Sequence, residues 1–119
     1  MGVFIGAVVL NASNNRRAAA FWAEALGYVR EPRNPDFLHP EEWSPPSATR
    51  QDHGPGAHVH LDRDDKMHLD LWVDQDSDVH TEVERLVSLG AKRVDWVYQD
   101  GAQHVVLADT EGNLFCLCA

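Results

Sequence analysis

The pattern of apolar and polar residues predicts that the chain begins with a strand followed by a helix. Residues 3–10 read VFIGAVVL, a run too short for a helix and rich in Val and Ile, as in a buried strand. Ser13 and Asn14 are suitable helix N-caps, and Gly27 suits the position that ends a helix. Between them, the apolar residues that recur at helical spacing are Ala18, Phe21, Trp22, Ala25 and Leu26.

The stretch from residue 28 to residue 56 differs in composition. All six prolines lie between positions 32 and 55. Proline breaks helices and removes donors from a strand ladder, so we expect a loop with at most short edge strands. A loop of this length in a compact domain is either a binding loop or lid, or a disordered segment.

The second half returns to regular patterns. Alternation at residues 57–62 and 67–74 predicts two strands. A helix follows, with caps and negative charge at Asp76, Ser77 and Asp78 and a terminator at Gly90. Its apolar stripe is Val79, Val83, Leu86 and Val87. Three more strands are predicted at residues 91–98, 103–109 and 114–118, with turns at 100–101 and 111–113.

The two halves of the chain resemble each other. Each has a strand, a helix that ends in Leu-Gly, and further strands, and Gly27 and Gly90 lie about half the chain apart. A repeated βαβββ unit explains this pattern; the alternative is coincidental self-similarity.

Four segments carry a resemblance to a known family. They are AAAFWAEALGY (18–28), HLDLWVD (68–74), VERLVSLGAKRV (83–94) and VVLADTEGNLFCL (105–117). On these segments the chain resembles the vicinal oxygen chelate superfamily, in its glyoxalase and bleomycin-resistance (glyoxalase-like domain) branch. The resemblance implies an α+β fold in which two tandem βαβββ modules form a curved mixed sheet around a central cavity. It also implies one domain over residues 1–119, with module one at 1–63 and module two at 64–119, and a homodimer.

The resemblance further implies a divalent ion that polarises vicinal oxygens of a substrate. Its ligand positions fall on Ala7, His68 and Cys116. Ala7 has no ligand atom, and Cys116 stands where Glu is usual. Cys116 suits a softer ion such as Zn²⁺, but two ligands are fewer than the three of a catalytic zinc site. We therefore predict a degenerate metal site and no cofactor, with a divalent metal as the alternative.

Two other groupings of ligand-type residues have structural explanations. His58 and His60 share a strand face and, with His68, offer a three-histidine site. The alternation instead favours a solvent-facing pair with Val59 and Leu61 packed inward. Residues 74, 76 and 78 are aspartates, as at the start of a calcium loop, but the later Gly and Glu of that loop are missing, and helix capping explains them.

Strand periodicity predicts which residues line the cavity. His68, Asp70 and Trp72 share one face, and the aliphatic face opposite them is expected to pack on the helices. The residues that we expect to bind the ligand are Val9, Asn11, Trp43, His68, Asp70, Trp72, Leu114 and Cys116.

Several of these residues admit more than one role. His68 and Asp70 are candidates for a general base and its orienter, or for a structural hydrogen-bonded pair. Cys116 is a candidate nucleophile if its pKa is depressed. Trp96 and Tyr98 share the face of a predicted strand, as at a dimer interface.

Composition narrows the choice of partners. The chain has 119 residues and a formal net charge of −9, which argues against nucleic acid and anionic membranes as partners. It contains no run of 18 apolar residues and no basic region before its first apolar stretch, so we expect neither a membrane span nor a signal peptide. Cys116 and Cys118 lie two apart on one strand face, which disfavours a disulfide between them and suggests the cytoplasm.

Three functions remain open at this stage. The first is a protein that binds a small, planar or cationic organic molecule in the cavity, because the negative charge attracts cations over long range. The second is a lyase or isomerase that uses His68 and Asp70, or a divalent metal. The third is a structural or regulatory dimer without a ligand.

Overall fold

The computed structural model describes residues 2–41, 56–63 and 66–119. Within these ranges the elements, in order, are β1 (Val3–Asn11), α1 (Asn15–Leu26), β2 (Tyr28–Arg30), β3 (Phe37–Pro40), β4 (His58–Asp62), β5 (His68–Val73), α2 (Val79–Ser88), β6 (Lys92–Arg93), β7 (His104–Ala108) and β8 (Leu114–Cys118). Trp43 lies outside the described residues. None of the helices in this part of the chain is long and apolar enough to span a membrane.

The strands form one curved, open sheet in the order β2-β3-β4-β1-β5-β8-β7-β6. In each half the opening strand pairs in parallel with the closing strand, β1 with β4 and β5 with β8. The halves join where β1 and β5 pair antiparallel. The predicted α+β fold with a curved mixed sheet is confirmed.

Each helix packs over its own half of the sheet. Under α1 the core contains Leu38, Val59 and Leu61. Under α2 it contains Val73, Val83 and Leu117. Strand pairing places these aliphatic side chains on one face, so the opposite face of the sheet carries no helix. We call this opposite surface the helix-free face.

The helix ends follow the capping residues in the sequence. The Asn14 side chain accepts a hydrogen bond from the Arg17 amide at 3.0 Å, and Gly27 ends α1 at φ 68°. The Asp78 side chain accepts from the Thr81 amide at 2.7 Å. Asp78 is therefore a helix cap, as predicted.

The predicted apolar stripe of α1 is only partly correct. Ala18 and Trp22 pack against the core as predicted, and they are joined there by Ala19, which is buried, and by Ala23. Phe21 is instead 62% exposed and Leu26 46% exposed. An alanine-rich helix offers two overlapping apolar stripes, and the core lies against the one that is centred on Ala19 and Trp22.

The prediction that His58 and His60 face solvent is also wrong. Val59 and Leu61 point into the core under α1, as expected. However, His58 is only 3% exposed and meets Trp72 edge to face at 5.0 Å between ring centroids. His60 stacks on Phe37 at 4.1 Å. Aromatic side chains on the helix-free face therefore cover both histidines.

The strand predicted at residues 91–98 is much shorter than expected. Only Lys92 and Arg93 pair with β7, and residues 94–99 have no regular structure. The Val106 amide donates to the Tyr98 hydroxyl at 2.9 Å. The Tyr98 hydroxyl thus accepts the hydrogen bond that a backbone carbonyl of a longer edge strand would accept.

Candidate functional site

Strand pairing assembles a polar cluster on the helix-free face. Asp70 lies opposite Cys116 in the parallel β5–β8 ladder, and His68 precedes Asp70 by two residues on the same face. Nε2 of His68 is 3.4 Å from Oδ1 of Asp70, and both side chains are about five-sixths buried, at 15% and 16% exposed. One ligand-type atom from each of His68, Asp70 and Cys116 lies within 4.8 Å of the others. We call these three residues the trio.

The histidine of the trio is held in a defined orientation. Its Nδ1 lies 2.7 Å from the Lys66 carbonyl oxygen. A carbonyl only accepts, so this contact requires the proton on Nδ1. In neutral His68 the Nε2 lone pair therefore faces the carboxyl of Asp70.

The surroundings of Asp70 change the pKa of its carboxyl. Burial raises the pKa of its carboxyl, because the charged form is poorly solvated. Positive charge on His68, His60 or His104 and a hydrogen bond from the Cys116 thiol lower the same pKa, but burial prevails. The carboxyl is thus poised to take a proton or to face another positive centre.

A cleft of about 1030 Å³ opens beside the trio. His68 and Cys116 are part of its wall. The rest of the wall combines apolar side chains with polar ones that include Lys66, Gln99 and Asn113. The apolar members include Trp96, Val97, Tyr98, Val106 and Leu114. Large apolar side chains that remain exposed around one concavity are typical of a binding surface.

The first half of the sheet presents a second buried polar group. Glu31 and His39 are 8% and 5% exposed, and Nε2 of His39 lies 3.9 Å from Oε2 of Glu31. Nδ1 of His39 contacts the Pro40 carbonyl at 2.7 Å. His58 lies next to His39, with 5.8 Å between ring centroids. This cluster is separate from the wall of the cleft.

The structure brings some of the predicted site residues together and separates others. His68, Leu114 and Cys116 line the cleft, and Asp70 adjoins them. Trp72 is buried on the same face, over Gly6 and against His58. Val9 lies opposite His68 in the β1–β5 ladder, but it is buried and is not part of the cleft wall. Asn11 donates to the Arg63 carbonyl, and Trp43 lies outside the described ranges.

Sequence reasoning gave no ligand role to one wall of the cleft. Residues 94–99 bring Trp96, Val97 and Tyr98 to it, and β7 adds His104 and Val106. The sequence signal for this wall is the segment DWVYQDG (95–101). Its polar residues and its glycine interrupt the apolar ones, which suits an irregular segment better than a continuous strand.

The family-implied metal positions fit only in part. Ala7 offers no ligand atom, as the sequence already indicates. In the antiparallel β1–β5 pair, however, Ala7 lies opposite Asp70. The Asp70 carboxylate, on the neighbouring strand, thus lies beside the position that has no ligand atom. Together with His68 and Cys116 it forms a set of one oxygen, one nitrogen and one sulfur ligand, which suits a divalent metal.

Comparisons with known proteins agree with this architecture. A family model described as a glyoxalase-like domain matches residues 7–118. A hypothetical protein from Bacillus halodurans is similar in structure, with a TM-score of 0.60, 11% identity, and coverage of 99% of this chain and 94% of that chain. This likeness shows a shared fold.

Two further structures are more distant. A glyoxalase-related enzyme from Fulvimarina pelagi has a TM-score of 0.33 at 18% identity, over 97% of this chain and 86% of that one. A member of the glyoxalase/bleomycin resistance protein/dioxygenase superfamily from Sphaerobacter thermophilus has a TM-score of 0.35 at 16% identity, over 97% and 95%. A search of curated proteins finds no match.

Proposed function

The chain belongs to the glyoxalase-like domain family, and on this basis we propose that it binds a small organic molecule in the cleft beside the trio. The observation that carries the proposal is the exposed apolar wall around this one cleft. Trp96 is 42% exposed, Val97 94% and Leu114 44%. Covering such side chains with an apolar ligand removes their surface from water and stabilises the complex.

The polar end of the cleft suggests the chemistry of the ligand. The Nε2 of neutral His68 and the ionised carboxyl of Asp70 are both hydrogen-bond acceptors. A ligand head that donates hydrogen bonds or carries positive charge therefore matches them. We propose a planar or aliphatic body against Trp96 and Leu114, with such a head at the trio.

Matched probes test this proposal. We would titrate the chelator-treated protein with a naphthalene ring that bears an aminomethyl, a hydroxymethyl or a carboxylate group. The aminomethyl compound is expected to bind most tightly and to raise the melting temperature, because a ligand of the folded state stabilises it. Trp96→Ala is expected to weaken binding about 3- to 10-fold, the usual strength of an aromatic contact.

Phe21→Ala is the matched control, since Phe21 is an exposed aromatic residue on α1 that takes no part in the wall of the cleft. This variant should bind the probe as the unmodified chain does. The proposal fails if none of the three probes binds, or if Trp96→Ala and Phe21→Ala have equal affinities.

A second candidate function is an isomerase or lyase that moves a proton through the trio. The raised pKa of Asp70 and the lone pair of His68 facing it favour this alternative. The test is deuterium incorporation from D₂O into the carbon between the hydroxyl and carbonyl groups of a small aryl hydroxyketone. Exchange that Asp70→Asn abolishes supports proton transfer; equal rates with and without protein exclude it for this compound.

The homodimer stays a prediction. Exposed Trp96 and Tyr98 suit either a ligand or a partner subunit. Light scattering would give the mass of the assembly, and Trp96→Ala should leave that mass unchanged if these residues bind a ligand.

A further inference from the structure

We propose that His68, Asp70 and Cys116 form a binding site for a thiophilic divalent cation such as Zn²⁺, with Asp70 supplying the ligand that position 7 lacks. The site lies at the polar end of the cleft and is built by β5 and β8 of the second half alone. It differs from the set that the family resemblance implies, because the carboxylate comes from β5 and one ligand is sulfur.

The first argument is geometric. The three ligand atoms lie within 4.8 Å of one another. In a tetrahedral zinc site, metal–ligand bonds of about 2.0–2.3 Å separate neighbouring ligand atoms by about 3.5 Å. The pair formed by Nε2 of His68 and Oδ1 of Asp70 is already at 3.4 Å. Only small side-chain adjustments are needed to close the set around an ion.

The second argument is electrostatic. The Lys66 carbonyl holds a proton on Nδ1 of His68, so Nε2 is the nitrogen that faces the Asp70 carboxyl, 3.4 Å away in a largely buried place. A divalent cation between these two atoms would be bound by a nitrogen lone pair and by a negatively charged oxygen. A backbone carbonyl on the distal nitrogen is also the usual way in which proteins orient a metal-binding imidazole.

The third argument concerns which ion binds. A thiolate favours zinc and other soft ions, whereas Mg²⁺ and Mn²⁺ prefer oxygen ligands. The Cys116 thiol donates a hydrogen bond to Asp70, so metal binding must displace that proton to the solvent. Three protein ligands leave a fourth position, which is typical of a catalytic rather than a structural zinc site.

Direct metal titration tests this inference. The protein, purified without a histidine tag and treated with chelator, would be titrated with Zn²⁺, Co²⁺, Mg²⁺ and Mn²⁺. We expect one Zn²⁺ per chain with release of a proton, weaker or absent binding of Mg²⁺ and Mn²⁺, and a cobalt–thiolate charge-transfer band with Co²⁺. The cobalt band requires no variant, so the test does not depend on a substitution that folds.

Cys116→Ser and Cys118→Ser form a matched pair, since both thiols lie on β8 and only Cys116 belongs to the trio. Cys116→Ser should abolish the cobalt band and weaken zinc binding by more than about 100-fold, because loss even of an outer-shell partner weakens binding 10- to 100-fold. Cys118→Ser should keep both. Absence of one-to-one zinc binding, or equal binding by the two variants, overturns the inference.

The inference deepens the proposed function but can fail separately from it. The naphthalene probes are titrated in chelator, and zinc is titrated without probe. With zinc bound, the trio presents a positive centre instead of two acceptors. The preference among the probes should then reverse from the aminomethyl compound to the carboxylate.

Discussion

The contact between Gly6 and Trp72 makes a sharp prediction about what shapes the helix-free face. The pairing of β1 with β5 shifts register between Ile5 and Ala7, which places Gly6 under the indole of Trp72. A Cβ added at Gly6 would lie 2.0, 2.2 and 2.3 Å from three atoms of that ring. Ordinary carbon contacts are about 3.5–4.0 Å, so Gly6→Ala must displace the ring by about 1.5 Å.

The magnitude follows from the burial of Trp72, which is 7% exposed. Overpacking typically costs about 1–3 kcal/mol, and complete loss of a buried Trp side chain about 3–5 kcal/mol. We therefore expect Gly6→Ala to lower the free energy of unfolding by about 3 kcal/mol. For a domain of this size that corresponds to a melting temperature lower by about 12 °C. Urea denaturation with a constant m-value measures the change.

Two controls separate steric overlap from the general cost of replacing glycine. Gly27 has φ 68° and no atom within 4 Å of an added Cβ, so Gly27→Ala tests backbone strain alone, at about 1 kcal/mol. In a Trp72→Ala background, Gly6→Ala should cost less than about 0.5 kcal/mol, because the clash is gone. If Gly6→Ala costs no more than Gly27→Ala, or costs the same with and without Trp72, the packing argument is wrong.

Three further substitutions test individual polar contacts. Burial raises the pKa of Glu82, but hydrogen bonds from Ser77, Arg85 and the Gly2 amide outweigh it and hold this pKa below its usual range. Glu82→Gln should therefore cost about 2 kcal/mol at pH 7. As the pH falls below 4.5, the ordinary pKa of this carboxyl, the unmodified chain loses the stability that ionised Glu82 provides, so the stability of the variant should fall less steeply. Asp70→Asn should raise the melting temperature of the chelator-treated protein at pH 7, because burial raises the pKa of Asp70 and disfavours its charged form. The difference in melting temperature between the variant and the unmodified chain should shrink as the pH falls and Asp70 takes up a proton. Tyr98→Phe removes the acceptor of the Val106 amide; it should cost about 1 kcal/mol and speed hydrogen exchange at that amide, as measured by NMR.

Local patterns in the sequence were sufficient for the ends of the helices and for the faces of the strands. Asn14, Gly27 and Asp78 act within a turn of their own helix, so their roles need no tertiary information. The alternation in β5 likewise separates His68 and Asp70 from the aliphatic side chains under α2, because a strand has only two faces.

Features that depend on long-range pairing were beyond the sequence. The placement of Asp70 beside Cys116 requires the β5–β8 register, and the placement of Ala7 opposite Asp70 requires the register shift at Gly6. Neither follows from a hydrophobic pattern. The same limit explains Trp96, whose place beside the cleft depends on β6 ending after Arg93.

In the proposed zinc site, the carboxylate comes from β5 and not from β1, its neighbour in the sheet. The family resemblance expects a His or Glu at position 7, and this chain has Ala7 there with Asp70 directly across the ladder. Opposed side chains of an antiparallel pair have Cβ atoms about 4.5–5.5 Å apart, within reach of one another's ligand atoms. If the carboxylate is what matters and not the strand that supplies it, Ala7→Glu should restore zinc binding that Asp70→Ala has removed. Ala7 is 0% exposed, so Ala7→Glu alone places a buried acid at this position. The melting temperature of this variant should therefore be lower in chelator, and it should rise again when zinc is added. A folded double variant that binds no zinc would show that the backbone position of Asp70, and not merely a carboxylate facing His68 and Cys116, determines the site.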